Sequence, residues 1–239
     1  MNDLILIERL SRGHAYDVFD AWSEERGCRC IVRTLRPDRR YDRRAKAELL
    51  REGRLLERLT HPHLVRAYET RNQPPLVVLE TLGGSTLGAL LEHGALDRAD
   101  LVQLGLQLGS AIRYLHRNGV LHLDLKPDNL IADAGRLKVI DLSIAQPPGR
   151  VPPGIGTARW MAPEQARGGD VGPAADVWGV GRVLAASGGG DLVRDCLAED
   201  PAQRPSVDDV IGRLRLLSSA PDVEPTLLGA RAPDPQPAA

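Results

Sequence analysis

The chain has 239 residues and nearly balanced charge, 31 Lys and Arg against 32 Asp and Glu, a net of −1. That length suits one large domain or two small ones. The balance excludes a nucleic-acid arm or a broadly cationic membrane face, both of which need surplus Lys and Arg. Hydrophobic residues at 42% suffice for a packed core and exclude a wholly disordered chain.

In chain order, Leu4–Ile7, Asp17–Trp22 and Cys28–Leu35 alternate apolar and polar residues between Gly-containing turns, which predicts three strands. Residues 42–59 place Leu49, Leu55, Leu56 and Leu59 near helical spacing among charges, which predicts an amphipathic helix. Leu64–Tyr68 and Leu76–Glu80 complete a small sheet. Beyond residue 86 the pattern turns helical. Thr86–His93 and Arg98–Asn118 are predicted helices, the second ending before Gly119. Short strands follow near Leu130–Ile131 and Leu137–Ile140, then a Pro/Gly loop at 147–156. Helices are predicted at 174–186, 190–198 and 207–217. Residues 218–239 hold five prolines and five alanines without periodicity, the composition of a disordered tail.

Three cysteines cannot form a disulfide framework. Cys28 and Cys30 share one face of a strand and Cys196 stands apart, so reduced thiols are expected, zinc needing about four ligands. No run approaches the ~18 consecutive apolar residues of a membrane span. Met1-Asn2-Asp3-Leu4 lacks the features of a signal peptide, and a cytoplasmic location is expected. Arginine is heavily preferred, with only Lys46, Lys126 and Lys138 as lysines, so each retained lysine draws attention.

The densest chemistry lies in His122-Leu123-Asp124-Leu125-Lys126-Pro127-Asp128-Asn129, followed by Asp141 at the end of an apolar strand. Phosphoryl transfer needs such parts. A carboxylate orients the attacking hydroxyl, a cation neutralises phosphoryl oxygens, and oxygen ligands hold Mg²⁺.

This segment resembles the H-R-D-L-K-P-x-N loop of eukaryotic-type (Hanks-type) protein kinases. Asp141-Leu142-Ser143 stands where D-F-G belongs, and Gly156 to Glu164 is similar to G-T-x-x-Y-x-A-P-E. Asp176 to Gly181 is similar to D-x-W-S-x-G, and Asp200 to Pro205 matches D-P-x-x-R-P. Arg51-Glu52 and His61-Pro62-His63-Leu64-Val65 resemble the αC helix and the approach to the fourth strand. The motifs are in order over roughly residues 8–217.

The resemblance implies a bilobal α+β fold. Its N-lobe (1–82) carries a five-stranded antiparallel sheet plus αC, and its C-lobe (83–217) is mainly helical. It implies Asp124 as catalytic base, Lys126 on the transferring phosphate as in serine/threonine kinases, and Asn129 and Asp141 as Mg²⁺ ligands. Ser11, Gly13, Val18, Ile31, Arg33, Glu52, Glu80, Leu82 and Ile131 would form the ATP site, with Leu79 as gatekeeper. Leu142 and Thr157 take regulatory and substrate-positioning places, Glu164 pairs with Arg204, and Asp176 anchors the catalytic loop. ATP and Mg²⁺ are the implied cofactors. A protein substrate or a regulatory protein is the implied partner, with no nucleic acid and no membrane span.

Several positions depart from the family pattern. Ser11-Arg12-Gly13-His14-Ala15-Tyr16 keeps only the middle glycine of G-x-G-x-x-G, and Tyr16 reads as an intrusion or as an exposed loop aromatic. Arg33 replaces the strand-three lysine, a non-conservative exchange because guanidinium is planar and longer. Ile31 replaces a small alanine. Leu123 replaces the arginine that receives a phosphorylated residue, and residues 144–156 contain no Ser, Thr or Tyr. Asp176 and Arg204 are close in sequence, which implies loss of the family's αG helix. Two readings follow. One is a serine/threonine protein kinase that dispenses with activation-loop phosphorylation. The other is a pseudokinase acting as scaffold or allosteric partner.

Overall fold

The computed structural model describes residues 3–218, and the proposed tail from 219 onward lies outside them. The chain divides into two units, one of residues up to Leu82 with Asp141–Ser143, the other of Gly83–Ile140 with Ile144 onward.

The first unit is a five-stranded antiparallel sheet with one long helix. Its strands are β1 (Leu4–Arg12), β2 (Tyr16–Ser23), β3 (Cys28–Leu35), β4 (Ala67–Asn72) and β5 (Pro75–Glu80), in the order β1-β2-β3-β5-β4. Alternation along β3 buries Cys30 and Val32 with Leu4, Ala21, Leu76 and Val78, and so turns Ile31 and Arg33 to the opposite face. Helix α1 (Arg43–Arg58) starts where the Asp42 carboxylate accepts the Ala45 N–H at 3.0 Å, a side-chain cap of an otherwise unpaired donor. It buries Leu49, Leu50, Glu52, Gly53 and Leu56. Leu55 is only half-buried and Leu50 replaces it in the core.

Two strands of this unit differ from the sequence expectation. β1 extends to Arg12 rather than stopping at Ile7, with register shifts against β2 at Ile7 and Leu10. These irregularities break the two-residue period that a sequence reading follows. β4 begins at Ala67, and Leu64 and Val65 are buried in the turn before it. Their apolarity therefore reports burial and not a strand.

The second unit is mainly helical. A three-stranded sheet joins β6 (Ser85–Thr86), β7 (Leu130–Asp133) and β8 (Arg136–Val139). The short helix α2 spans Leu87–Leu91, and α3 spans Arg98–Arg117. Asp97 caps α3 by accepting Asp100 N at 2.8 Å, and Gly119 at φ +70° follows its end. Downstream lie β9 (Gly149–Val151), α4 (Pro163–Arg167), β10 (Gly169–Val171), α5 (Pro173–Leu184) and α6 (Val207–Ser218). β9 and β10 pair as an antiparallel ladder.

The helix expected at 190–198 is instead a tighter 3-10 stretch over Gly190–Leu197, interrupted at Val193. The preceding glycine run explains the change, because Gly188 sits at φ +106° and breaks the helix that α5 would otherwise continue. Between α5 and α6 the described residues contain no further α-helix. No helix among the described residues is long and apolar enough to cross a membrane.

Gly84 fixes the entry into β6. A Cβ there would lie 1.7 Å from the Ala132 carbonyl oxygen on β7. Gly84→Ala should destabilise the protein by about 1–3 kcal/mol, the usual scale of overpacking, measured as a lower urea midpoint at unchanged slope. An unchanged midpoint would mean that the β6–β7 contact is not part of the stable fold.

Candidate active site

In the second unit the residues of the 122–129 loop converge on one carboxylate. Asp124 Oδ1 accepts the Thr157 N–H at 2.9 Å. Asp124 Oδ2 accepts Lys126 Nζ at 2.8 Å and Asn129 Nδ2 at 3.2 Å. Lys126 Nζ also donates to Thr157 Oγ1 at 2.8 Å. Asn129 Nδ2 donates to the Asp124 carbonyl at 2.8 Å, so its amide oxygen is the end left to meet a cation. The sequence placed Thr157 thirty-odd residues away, and the fold brings it into the same hydrogen-bonded group. Ile131 follows on β7, half-buried and paired with Lys138 on β8.

Asp176 supports this loop from below. Its carboxylate is buried and accepts His122 N and Leu123 N, both at 2.8 Å, while His116 Nε2 lies 2.9 Å away. Leu123 has φ +65°, a left-handed backbone that costs leucine about 1–2 kcal/mol. Two hydrogen bonds to a buried charge offset that cost. Further out, Arg204 clasps Glu164 through two bonds of 2.6 and 2.8 Å, bonds the Ala198 and Ala174 carbonyls and lies over the Trp178 ring. The buried pair is thus geometrically matched, the condition under which burying two charges is tolerated.

The first unit carries a second group. Arg33 Nη1 donates to both Glu52 oxygens at 2.8 and 2.9 Å, and Asp141 Oδ1 lies 3.7 Å from it. Glu52 Oε1 also accepts the Leu142 N–H at 3.1 Å. Asp141 adopts φ +71°, a region aspartate tolerates through local bonding, and its Oδ1 accepts Ser143 N at 3.0 Å. Arg33 thus reaches from β3 to Glu52 on α1. Burial works to lower its pKa, but the carboxylates of Glu52 and Asp141 outweigh that and hold it raised. Burial pushes Glu52 up to about 7 against the pull of Arg33.

The glycine-poor loop is a tight turn. Ser11 pairs with Val18 across β1 and β2, and Gly13 N donates to Tyr16 O at 2.8 Å. Arg36 at the end of β3 donates to the Gly13 and His14 carbonyls, and its own N–H to Ala15 O. Tyr16 is not an exposed loop aromatic. It opens β2, its ring is part-buried, and its hydroxyl donates to the Ala45 carbonyl at 3.0 Å. At the other end of the sheet, Ile31 pairs with Leu79. Glu80 is tied to Arg66 by its N–H and by its side chain, and Leu82 closes the unit.

The sequence reading missed three residues. Gln165 donates to the Leu123 and Ile155 carbonyls and accepts Ala162 N. A glutamine at the third position of a helix opened by Pro163 was the available signal. Arg36 and His116 gave none, because their partners are set by folding and not by spacing.

The raised pKa of Glu52 has a consequence for stability. Its folded value, about 7, exceeds the ordinary 4.5, so between those values the folded protein holds a proton that the unfolded chain has released. This contribution is complete below pH 4.5 and is lost as pH rises through about 7. The melting temperature of the unaltered protein minus that of Glu52→Gln should therefore fall across this window. A constant difference would show that Glu52 is ionised throughout.

The chain matches the protein kinase domain family over residues 5–189. It is 33% identical over 190 residues to a probable serine/threonine-protein kinase of Streptomyces coelicolor, covering 73% of this chain and 28% of that protein. It is 30% identical over 243 residues to the probable serine/threonine-protein kinase PkwA of Thermomonospora curvata, covering 92% and 32%. Against the serine/threonine-protein kinase PknD of Mycobacterium tuberculosis the identity is 29% over 225 residues, covering 90% and 32%. The chain therefore spans about a third or less of the length of these relatives. With the ordered motifs and the bilobal α+β architecture already described, the chain belongs to the protein kinase domain family.

Proposed function

We propose that this chain transfers a phosphoryl group from ATP·Mg²⁺ to Ser or Thr of a protein substrate, without needing a phosphorylated activation loop. The observation that carries this reading is the Asp124 carboxylate, fixed by Thr157, Lys126 and Asn129. A carboxylate so fixed can orient a substrate hydroxyl and accept its proton. Lys126 supplies the positive charge beside it, and its bond to Thr157 holds that charge in place. The Asn129 amide oxygen in the second unit and the part-exposed Asp141 carboxylate in the first are each hard oxygen donors of the kind Mg²⁺ takes, and Mg²⁺ keeps several waters and needs few protein ligands. Bound there with the nucleotide, Mg²⁺ would neutralise the phosphate oxygens.

Leu123 supports the second half of the proposal. Where the family has an arginine, this leucine is buried with Leu121, Val151, Ala162, Val171 and Ala175, against Ile144, Ile155 and Trp178. Apolar packing, the β9–β10 ladder and the Gln165 bonds hold the segment that a phosphate–arginine contact would otherwise order. The non-catalytic reading draws on the departures from the family pattern in the glycine-poor loop and at Arg33 and Ile31.

Calorimetry with ATP, with and without Mg²⁺, followed by phosphate transfer to a protein substrate, tests the proposal. Asp124→Asn should leave nucleotide binding intact and lower turnover by ~100-fold or more, the scale of lost general-base catalysis. Asp141→Asn should weaken the Mg²⁺-dependent binding. Equal loss of binding from both substitutions would contradict these roles, and undetectable turnover with intact binding would favour a scaffold. Phosphatase treatment should leave activity unchanged. Leu123→Arg should destabilise the protein by about 3 kcal/mol or more, because it buries an unpaired charge. A stable, active Leu123→Arg variant would remove the apolar clamp from the account.

A further inference from the structure

Two departures from the family pattern meet in space. The Arg33 Cζ atom lies 4.7 Å from the centroid of the Tyr16 ring, a distance at which a cation is attracted to the ring face. The same guanidinium is held by Glu52, with Asp141 Oδ1 3.7 Å away. Tyr16 is itself anchored at both ends. Its backbone carbonyl accepts Gly13 N, and its hydroxyl bonds the Ala45 carbonyl in the first turn of α1, two turns ahead of Glu52.

We infer that Tyr16 is the positioning residue for Arg33, so that the lost third glycine and the Lys-to-Arg exchange form one coupled device for holding nucleotide phosphates. This rests on the nucleotide-binding reading given above and extends it.

The chemistry requires the pairing in both directions. A guanidinium donates hydrogen bonds only within its own plane, so an aromatic ring can meet its charge where no carboxylate acceptor does. Glycine at position 16 would remove the ring from the charge and leave the arginine free to swing, whereas the tyrosine ring centroid lies 4.7 Å from its Cζ. Lysine at position 33 is shorter and carries its charge as a point. Beneath a fixed Tyr16 it would lose the close contact with the ring and the two-oxygen grip on Glu52. The loop is built to match, since Arg36 ties the Gly13, His14 and Ala15 carbonyls to the end of β3. Phosphates would therefore meet a preset surface and not a loop that folds over them. Burial, aided by Glu48, pushes the Tyr16 hydroxyl up to about 12, so it remains a donor to Ala45 at ordinary pH.

A double-mutant cycle on the full chain tests the coupling. Tyr16→Gly, Arg33→Lys and the double reversal are compared by calorimetric affinity for ATP·Mg²⁺ and by the separate effects on KM for ATP and kcat. Each single change should weaken nucleotide binding about 3- to 30-fold, the range of a desolvated cation–π contact. The double reversal should bind more tightly than the weaker single variant, because it restores a mutually compatible pair. Tyr16→Leu keeps bulk without a π face and should resemble Tyr16→Gly, and it carries the cycle if the glycine variant fails to fold. Tyr16→Phe keeps the ring and should lose less than Tyr16→Leu. Additive effects on affinity would overturn the inference and leave the proposed function standing. So would a lowered melting temperature for Tyr16→Leu with unchanged affinity, the mark of a merely structural contact. Failure of the unaltered protein to bind ATP·Mg²⁺ would overturn both.

Discussion

One buried carboxylate organises the second unit. Asp176 projects from α5 and takes the backbone N–H groups of His122 and Leu123. Those two bonds hold Leu123 in a conformation that leucine otherwise avoids. The reversal turns the Leu123 side chain into the apolar cluster and leaves Asp124 free to gather Thr157, Lys126 and Asn129. The Leu123 carbonyl then receives Gln165, and the next residue back, Glu164, receives Arg204. Catalytic loop, activation segment and α4 thus hang from a single charge. That charge is tolerated inside the protein only because every partner is in place.

Glu52 has the matching role in the first unit. It accepts Arg33 from β3 and the Leu142 N–H, so strand, helix and the Asp141–Ser143 segment share one acceptor. The sum of its surroundings is unfavourable to ionisation. It is therefore sensitive to any change in its cationic neighbour, which is why the environment of Arg33 matters more than conservation of charge alone.

The sequence revealed those parts of the fold that repeat or that are spaced by short chemistry. α1 was legible from its period, α3 from its period and the glycine after it, and Asp124, Lys126, Asn129, Glu164 and Arg204 from the resemblance of their motifs to the family's. The full length of β1 was not, because bulges at Ile7 and Leu10 interrupt alternation. The 3-10 stretch after Gly188 looked helical, since a tighter helix uses similar residues. Tyr16 was legible as an anomaly but not as a contact. Its partners, Arg33 and Ala45, lie on other elements and become neighbours only when β2, β3 and α1 assemble. Gln165 was hidden for the same reason, its acceptors at Leu123 and Ile155 being long-range.

The hydroxyl-free segment between Ser143 and Thr157 has a bearing on timing. Order that rests on a phosphate can be written and erased by other enzymes within one protein lifetime. Order that rests on Val151 and Val171 packing around Leu123, and on the β9–β10 ladder, has no such eraser. It is lost only when that packing opens, an event governed by temperature and local unfolding. Under the function proposed above, the segment would be a part fitted once, at folding, and its working state would last as long as the fold does.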